Sequence, residues 1–169
     1  MLANVTRPSV EEALSIFGLP DDTKVYHCRQ GALPTISGNK PVVIRHSLLS
    51  IDSVEKTFIF RVLIKTNLGF REHNPNGPAT IICGSKLTSF GYKKLGEFHR
   101  SFLPAKITFN NKGLIVEEVY IVSGKWHNRV GPAYRYTNWN GAWENFYYIN
   151  DKKITPEEFY KMYDKLNKQ

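Results

Sequence analysis

Three histidines stand at matching places in this chain. His73 lies five residues before Pro78, His99 five before Pro104, and His127 five before Pro132. Each proline is followed by alanine, at Ala79, Ala105 and Ala133, and the prolines are 26 and then 28 residues apart. An imidazole can ligate a metal or move a proton near neutral pH, so three equivalent imidazoles raise both chemistries. Metal ligation needs further ligands at a fixed spacing, and no second ligand recurs with the histidines. A third role suits all three copies. Each imidazole can hydrogen-bond backbone groups left unpaired where one element hands over to the next. The small alanine after each proline lets neighbouring segments stack closely. His73, Pro78, Ala79 and their counterparts therefore read as a structural repeat motif.

Other chemistry finds little support. The chain has no G-x-S-x-G, P-loop, G-x-G-x-x-G or H-E-x-x-H pattern. Glu117 and Glu118 are adjacent in a strand-like run, so they point to opposite faces and cannot act as a catalytic pair. His127-Asn128 is too short to carry a nuclease assignment, and His27 and His46 have no evident partner. The expectation is a protein that is not an enzyme, with no catalytic residues, metal or cofactor.

Binding is better supplied. Tyr92, Lys93, Lys94, Phe98 and Arg100 surround one repeat phrase, and Lys125, Trp126, Arg129, Arg135, Trp139 and Trp143 surround the next. The formal charge is +8, and residues 67–150 contribute ten Lys and Arg against five Glu. Rings that stack on bases, beside cations that hold phosphates, would suit single-stranded nucleic acid. The same residue types are enriched at protein interfaces, and some of the rings are expected to be sheet core.

The elements that must position these residues are mostly strands. A period of 26–28 residues marks a repeat built from one supersecondary unit. In the second copy Pro104 opens a strand, Asn110 to Gly113 turns it, and Leu114 to Val122 returns. Ser123-Gly124 then breaks the strand, and the histidine phrase links to the next hairpin. The third copy runs from Pro132 to Tyr136 and from Ala142 to Ile149, the first from Pro78 to Cys83 and from Leu87 to Lys93. Upstream, strands are expected at 24–29, from Pro41 to about Ile51, and over the alternating run Thr57 to Lys65. Leu33-Pro34 and Pro41-Val42-Val43-Ile44 echo the repeat phrase without its histidine. Ser9-Val10-Glu11-Glu12 and Thr155-Pro156-Glu157-Glu158 are helix-start signals, each followed by apolar residues at helical spacing.

The expected fold is mainly β: an antiparallel meander of β-hairpin repeats with a capping α-helix at each end. It forms a single domain over 1–169. The N-terminal helix occupies 1–20, a non-repeat or decayed repeat 21–66, three hairpin repeats 67–150 and the C-terminal helix 151–169. Cys28 and Cys83 match no metal spacing and read as buried thiols of a reducing compartment. No leader and no membrane span is expected.

The phrases Gly124-Lys125-Trp126-His127…Gly131-Pro132-Ala133 and Gly96-Glu97-Phe98-His99-Arg100…Leu103-Pro104-Ala105 resemble the repeat of MORN-like "G-K-x-H-R…G/L-P-A" proteins. Those proteins belong to giant DNA viruses of the mimivirus type and to some phages. The resemblance spans about residues 69–166 and extends to the ending Tyr147 to Phe159. Asn128 replaces the usual Arg of that pattern, and the first copy lacks its Gly-Lys. The resemblance implies an interaction or scaffold role, as a viral structural protein contacting other viral or host proteins. It implies a location in the host cytoplasm or the virion. Two rival readings are a single-stranded nucleic-acid binder and an inhibitor of a host or defence protein.

Overall fold

The computed structural model describes residues 8–28, 40–49 and 56–166. Leu33-Pro34 lies outside them. The elements are α1 (Val10–Phe17), β1 (Val25–Cys28), β2 (Val42–Leu49), β3 (Lys56–Thr66), β4 (Gly69–Glu72), β5 (Thr80–Cys83), β6 (Leu87–Gly91), β7 (Lys93–Lys94) and β8 (Glu97–Phe98). There follow β9 (Lys106–Asn110), β10 (Ile115–Val119), β11 (Ile121–Val122), β12 (Lys125–Trp126), β13 (Tyr134–Thr137), β14 (Trp143–Ile149), β15 (Lys152–Ile154) and α2 (Pro156–Leu166).

One eleven-stranded sheet dominates, in the order β1-β2-β3-β5-β6-β9-β10-β13-β14-β15, with β4 also paired to β3. The fold is therefore mainly β and rich in hairpins. It is not wholly antiparallel, because β1 runs parallel to β2 with Val25 opposite Val43. A parallel pair needs a long connection rather than a tight turn, and the stretch between Cys28 and Val42 is long enough to supply one.

The return strands are shorter than the sequence suggests. Leu114 to Val122 is not one strand: β10 ends at Val119, and β11 forms a separate small hairpin with β12. Leu87 to Lys93 likewise divides at Tyr92, and β7 pairs with β8. Ser123-Gly124 is the tight turn of such a hairpin. Both residues have positive φ, 49° and 75°, as do Leu95 and Gly96 at 52° and 96°, and Asn150 and Asp151 at 50° and 67°. Positive φ at both central positions is the turn whose twist matches that of flanking strands. The large hairpins β5–β6, β9–β10 and β13–β14 are thus each followed by a small one closed by such a turn.

Both helices start on reciprocal caps. The Glu12 amide donates to Ser9 Oγ at 3.1 Å, and the Ser9 amide donates to Glu12 Oε2 at 2.7 Å. The Glu158 amide donates to Thr155 Oγ1 at 3.2 Å, and the Thr155 amide to Glu158 Oε2 at 2.8 Å. Gly18 ends α1 in the left-handed region at φ 65°. Ala13, Leu14 and Phe17 of α1 are buried in one cluster with Val43, Phe60, Val62, Ile81, Cys83 and Phe90. The helix therefore covers a face of the sheet rather than its edge strand. α2 meets β14, where Phe159 lies 5.0 Å from the Tyr147 ring.

The C-terminus of α1 is anchored from the loop before β5. Asn74 Nδ2 donates to the Phe17 carbonyl at 2.7 Å and to the Pro78 carbonyl at 2.9 Å. A Cβ on Gly77 would sit 2.8 Å from that same Phe17 oxygen. Gly77→Ala is therefore expected to push α1 off its seat, destabilising the protein by about 1–3 kcal/mol. The denaturant midpoint, with faster amide exchange at Ala13 to Gly18 than at β9, checks this. Burial pushes the Cys83 thiol up to about 12, and its side chain is fully covered. At pH 8 a thiol reagent is expected to label the half-buried Cys28 and to reach Cys83 only on unfolding.

Candidate functional site

The three repeat phrases become three connectors, 73–79, 99–105 and 127–133, set at one end of the strands. Each begins and ends on the same backbone bonds. The amides of Val62, Tyr92 and Tyr120 donate to the carbonyls of Ala79, Ala105 and Ala133, at 2.9, 2.7 and 2.7 Å. The carbonyls of the same three residues accept from the amides of His73, His99 and His127, at 3.1, 3.1 and 3.0 Å. All three alanines are fully buried, and Ala105 sits among Val119, Ile121, Phe98, Trp126 and Tyr134. Any larger residue there would displace a ring.

The imidazoles meet the next small hairpin. His99 Nδ1 accepts from the Ser123 amide at 2.9 Å, and His127 Nδ1 from the Asn150 amide at 3.2 Å. Accepting at Nδ1 leaves the hydrogen of a neutral ring on Nε2. His73 departs from this: its Nδ1 is buried with no hydrogen-bond partner among the described residues. Among those residues no group of three or more His, Cys, Asp or Glu gathers as a metal site.

The residue after each histidine braces its loop, a role not apparent from the sequence. Asn74 and Asn128 each donate to the carbonyl of the connector's proline, at 2.9 Å in both, and each accepts from the amide two residues on. Arg100 reaches the equivalent Pro104 carbonyl at 3.4 Å. The shared His-Asn at 73–74 and 127–128 was the available signal.

Between connectors lie grooves. The first, about 370 Å³, is bounded by His73, Tyr92, Lys93, Lys94, His99 and Arg100. The second, about 410 Å³, is bounded by Arg100, Phe102, Tyr120, Val122, Arg129 and Val130. The third, about 280 Å³, lies between His127, Arg129 and Asn150 on one side and Phe159, Met162 and Tyr163 of α2 on the other. Among the described residues no carboxylate lines any of the three. Burial, with the negative charge of Glu118 behind it, pushes the Tyr120 phenol upward, so it stays neutral.

The basic and aromatic residues do not form one surface. Trp139, 96% exposed, and Trp143 belong to the hairpin turn at the far end of β13 and β14. Arg135 pairs with Glu118 and lies over Trp143 at 4.9 Å. Trp126 packs between Tyr134 and Tyr148, with ring centroids at 5.4 and 4.8 Å. Lys93 is bound by Glu72 at 2.7 Å and lies over Phe98 at 4.7 Å. Arg100 stacks on Tyr92 at 3.7 Å. Lys94, Lys125 and Arg129 are exposed. Thus Tyr92, Lys93, Lys94, Arg100 and Arg129 come together along the grooves, whereas Trp139 and Trp143 stand apart. Phe102, not singled out by the sequence, is 93% exposed at φ +66°.

No family model, no curated protein and no solved structure matches this chain.

A bulky residue held left-handed costs about 1–2 kcal/mol, and Phe102 gains no burial in exchange. Phe102→Gly is expected to raise stability by about 1 kcal/mol. Thermal or urea unfolding of the two proteins checks this, and an unchanged or lowered midpoint would remove the case for strain.

Proposed function

We propose that this chain is a non-enzymatic interaction module, a small scaffold that holds partner proteins along its row of connectors. In this reading the sheet is a meander of one repeated unit, a large hairpin plus a small one, closed at each end by a helix. The observation that carries it is the series Val62, Tyr92, Tyr120 and Tyr147, where strands hand over. Val62 is buried under α1, and Tyr147 lies under Phe159 of α2. Tyr92 is covered by its own Arg100. Tyr120 opens into the second groove beside exposed Phe102 and Val130. Apolar groups clustered at an open groove are a usual mark of a protein contact. In the viral setting that the repeat phrase implies, such a scaffold would work in a particle or in the host cytoplasm.

A second reading, single-stranded nucleic acid, draws on the carboxylate-free grooves. It asks for free ring faces; Trp126 packs between two tyrosines and Tyr92 and Trp143 each lie under an arginine, while the freely exposed Trp139 stands at the far hairpin turn, away from the grooves.

The test is a photo-crosslinking residue placed at Val130 and, as control, at Lys112 in the turn at the opposite strand ends. Irradiation in producing cells, with mass spectrometry, is expected to recover one protein reproducibly from position 130 and not from 112. Recovery of nucleic acid, or of the same background from both positions, overturns the proposal.

A further inference from the structure

Resting on the interaction-module reading, we infer that the second groove takes a bulky apolar side chain from an acidic partner segment, with a carboxylate of that segment held in the first groove. The chain supplies its own precedent one step along. At Tyr147, the counterpart of Tyr120, α2 lays Phe159 against the ring, and Phe159 follows Glu157-Glu158 directly. Among the described residues no such ring lies against Tyr120. The place is bordered instead by Phe102, Val122 and Val130, side chains suited to an apolar anchor.

The charge argues for the rest. The second groove is flanked by Arg100 and Arg129, and the first by Lys93, Lys94 and Arg100. Lys93 already holds Glu72, while Lys94 and Arg129 are exposed. An anionic occupant would meet cations in both grooves and, among the described lining residues, no carboxylate in either.

The separation sets the spacing. Tyr92 follows β6 and Tyr120 follows β10, two strand steps away with β9 between. Strands lie about 4.8 Å apart, so the grooves are about 9.6 Å apart. Three residues of extended chain span about 9.9 Å, and one turn of polyproline II about 9.3 Å. The recognised pattern is then a carboxylate three residues from an aromatic or large aliphatic anchor. Nucleic acid would be drawn by the same cations and by the Tyr120 and Phe102 rings; Val122 and Val130 beside those rings favour an apolar side chain, and an oligonucleotide serves as the competing probe.

The probe is a fluorescein-labelled peptide containing Glu-Ser-Ala-Phe-Ala-Ser-Glu, which serves either chain direction, titrated with the full chain and followed by anisotropy. Phe102→Asn suits the left-handed backbone, and Arg129→Glu changes an exposed residue, so both variants should fold; their circular dichroism confirms it. Each is expected to weaken binding about tenfold or more, as loss of an anchor contact does. Lys112→Glu, with the same charge change at the far turn, should leave binding intact, and a peptide with Ser for Phe should not bind. No binding of the Phe peptide, or binding indifferent to Phe102→Asn and Arg129→Glu, overturns the inference. So does tighter binding of a labelled twelve-residue oligouridine that the same two variants abolish. A protein crosslinked from position 130 while the peptide fails would end this pattern and leave the interaction-module reading standing.

Discussion

The structure depends on one backbone arrangement, repeated where a strand changes partner. At Val62, Tyr92 and Tyr120 the amide serves the alanine of the following connector, and the carbonyl serves the histidine that begins it. At such a residue the ladder passes from one partner to another, and β3 runs on through Val62 as its pairing changes from β5 to β4. At Tyr92 and Tyr120, by contrast, β6 and β10 end one residue before and the short hairpins β7–β8 and β11–β12 start one residue after. The alanine must be small because rings close over it, and the proline before it has no amide for which a partner must be found. The chemistry of the motif is thus spent on handing one hairpin to the next.

Once that arrangement is in place, the charged residues within the sheet are largely used to hold it. Glu72 accepts from Thr80 at 2.5 Å and pairs with Lys93 and Arg61. Glu117 pairs with Lys106 at 2.7 Å and accepts from Thr108, and Glu118 pairs with Arg135. Each lies across a strand boundary, so these carboxylates stitch neighbouring strands. Of the cations left over, Arg100 and Arg129 stand on connectors and Lys94 on β7, and together they make the grooves positive.

Some of this was legible from residues alone. The caps at Ser9 and Thr155 are local, since each needs only atoms three residues apart. The large hairpins were marked by alternation and by turns such as Asn110 to Gly113. The small hairpins were not. Ser123-Gly124 looks like a break because serine rarely takes positive φ, and only the bonds made by Tyr120 on either side force it there. The parallel pairing of β1 is equally nonlocal, as are the packing of Trp126 between two tyrosines and the separation of Trp139 from the connectors. Asn74 and Asn128 were visible as letters, but their work is a bond across a loop whose shape no spacing rule supplies.

The copies differ most where the frame demands least. Connectors one and three brace themselves with a buried asparagine and place glycine, Gly77 and Gly131, before the proline. Connector two has neither. Arg100 replaces the asparagine and turns onto Tyr92, Leu103 replaces the glycine, and Phe102 takes a left-handed conformation that asparagine or glycine would adopt more readily. None of these exchanges improves the fold of the loop, and Phe102 and Leu103 face solvent. In a loop that departs from its siblings toward strain and exposed apolar surface, in the middle of the row, the sheet itself supplies no physical reason for the departure.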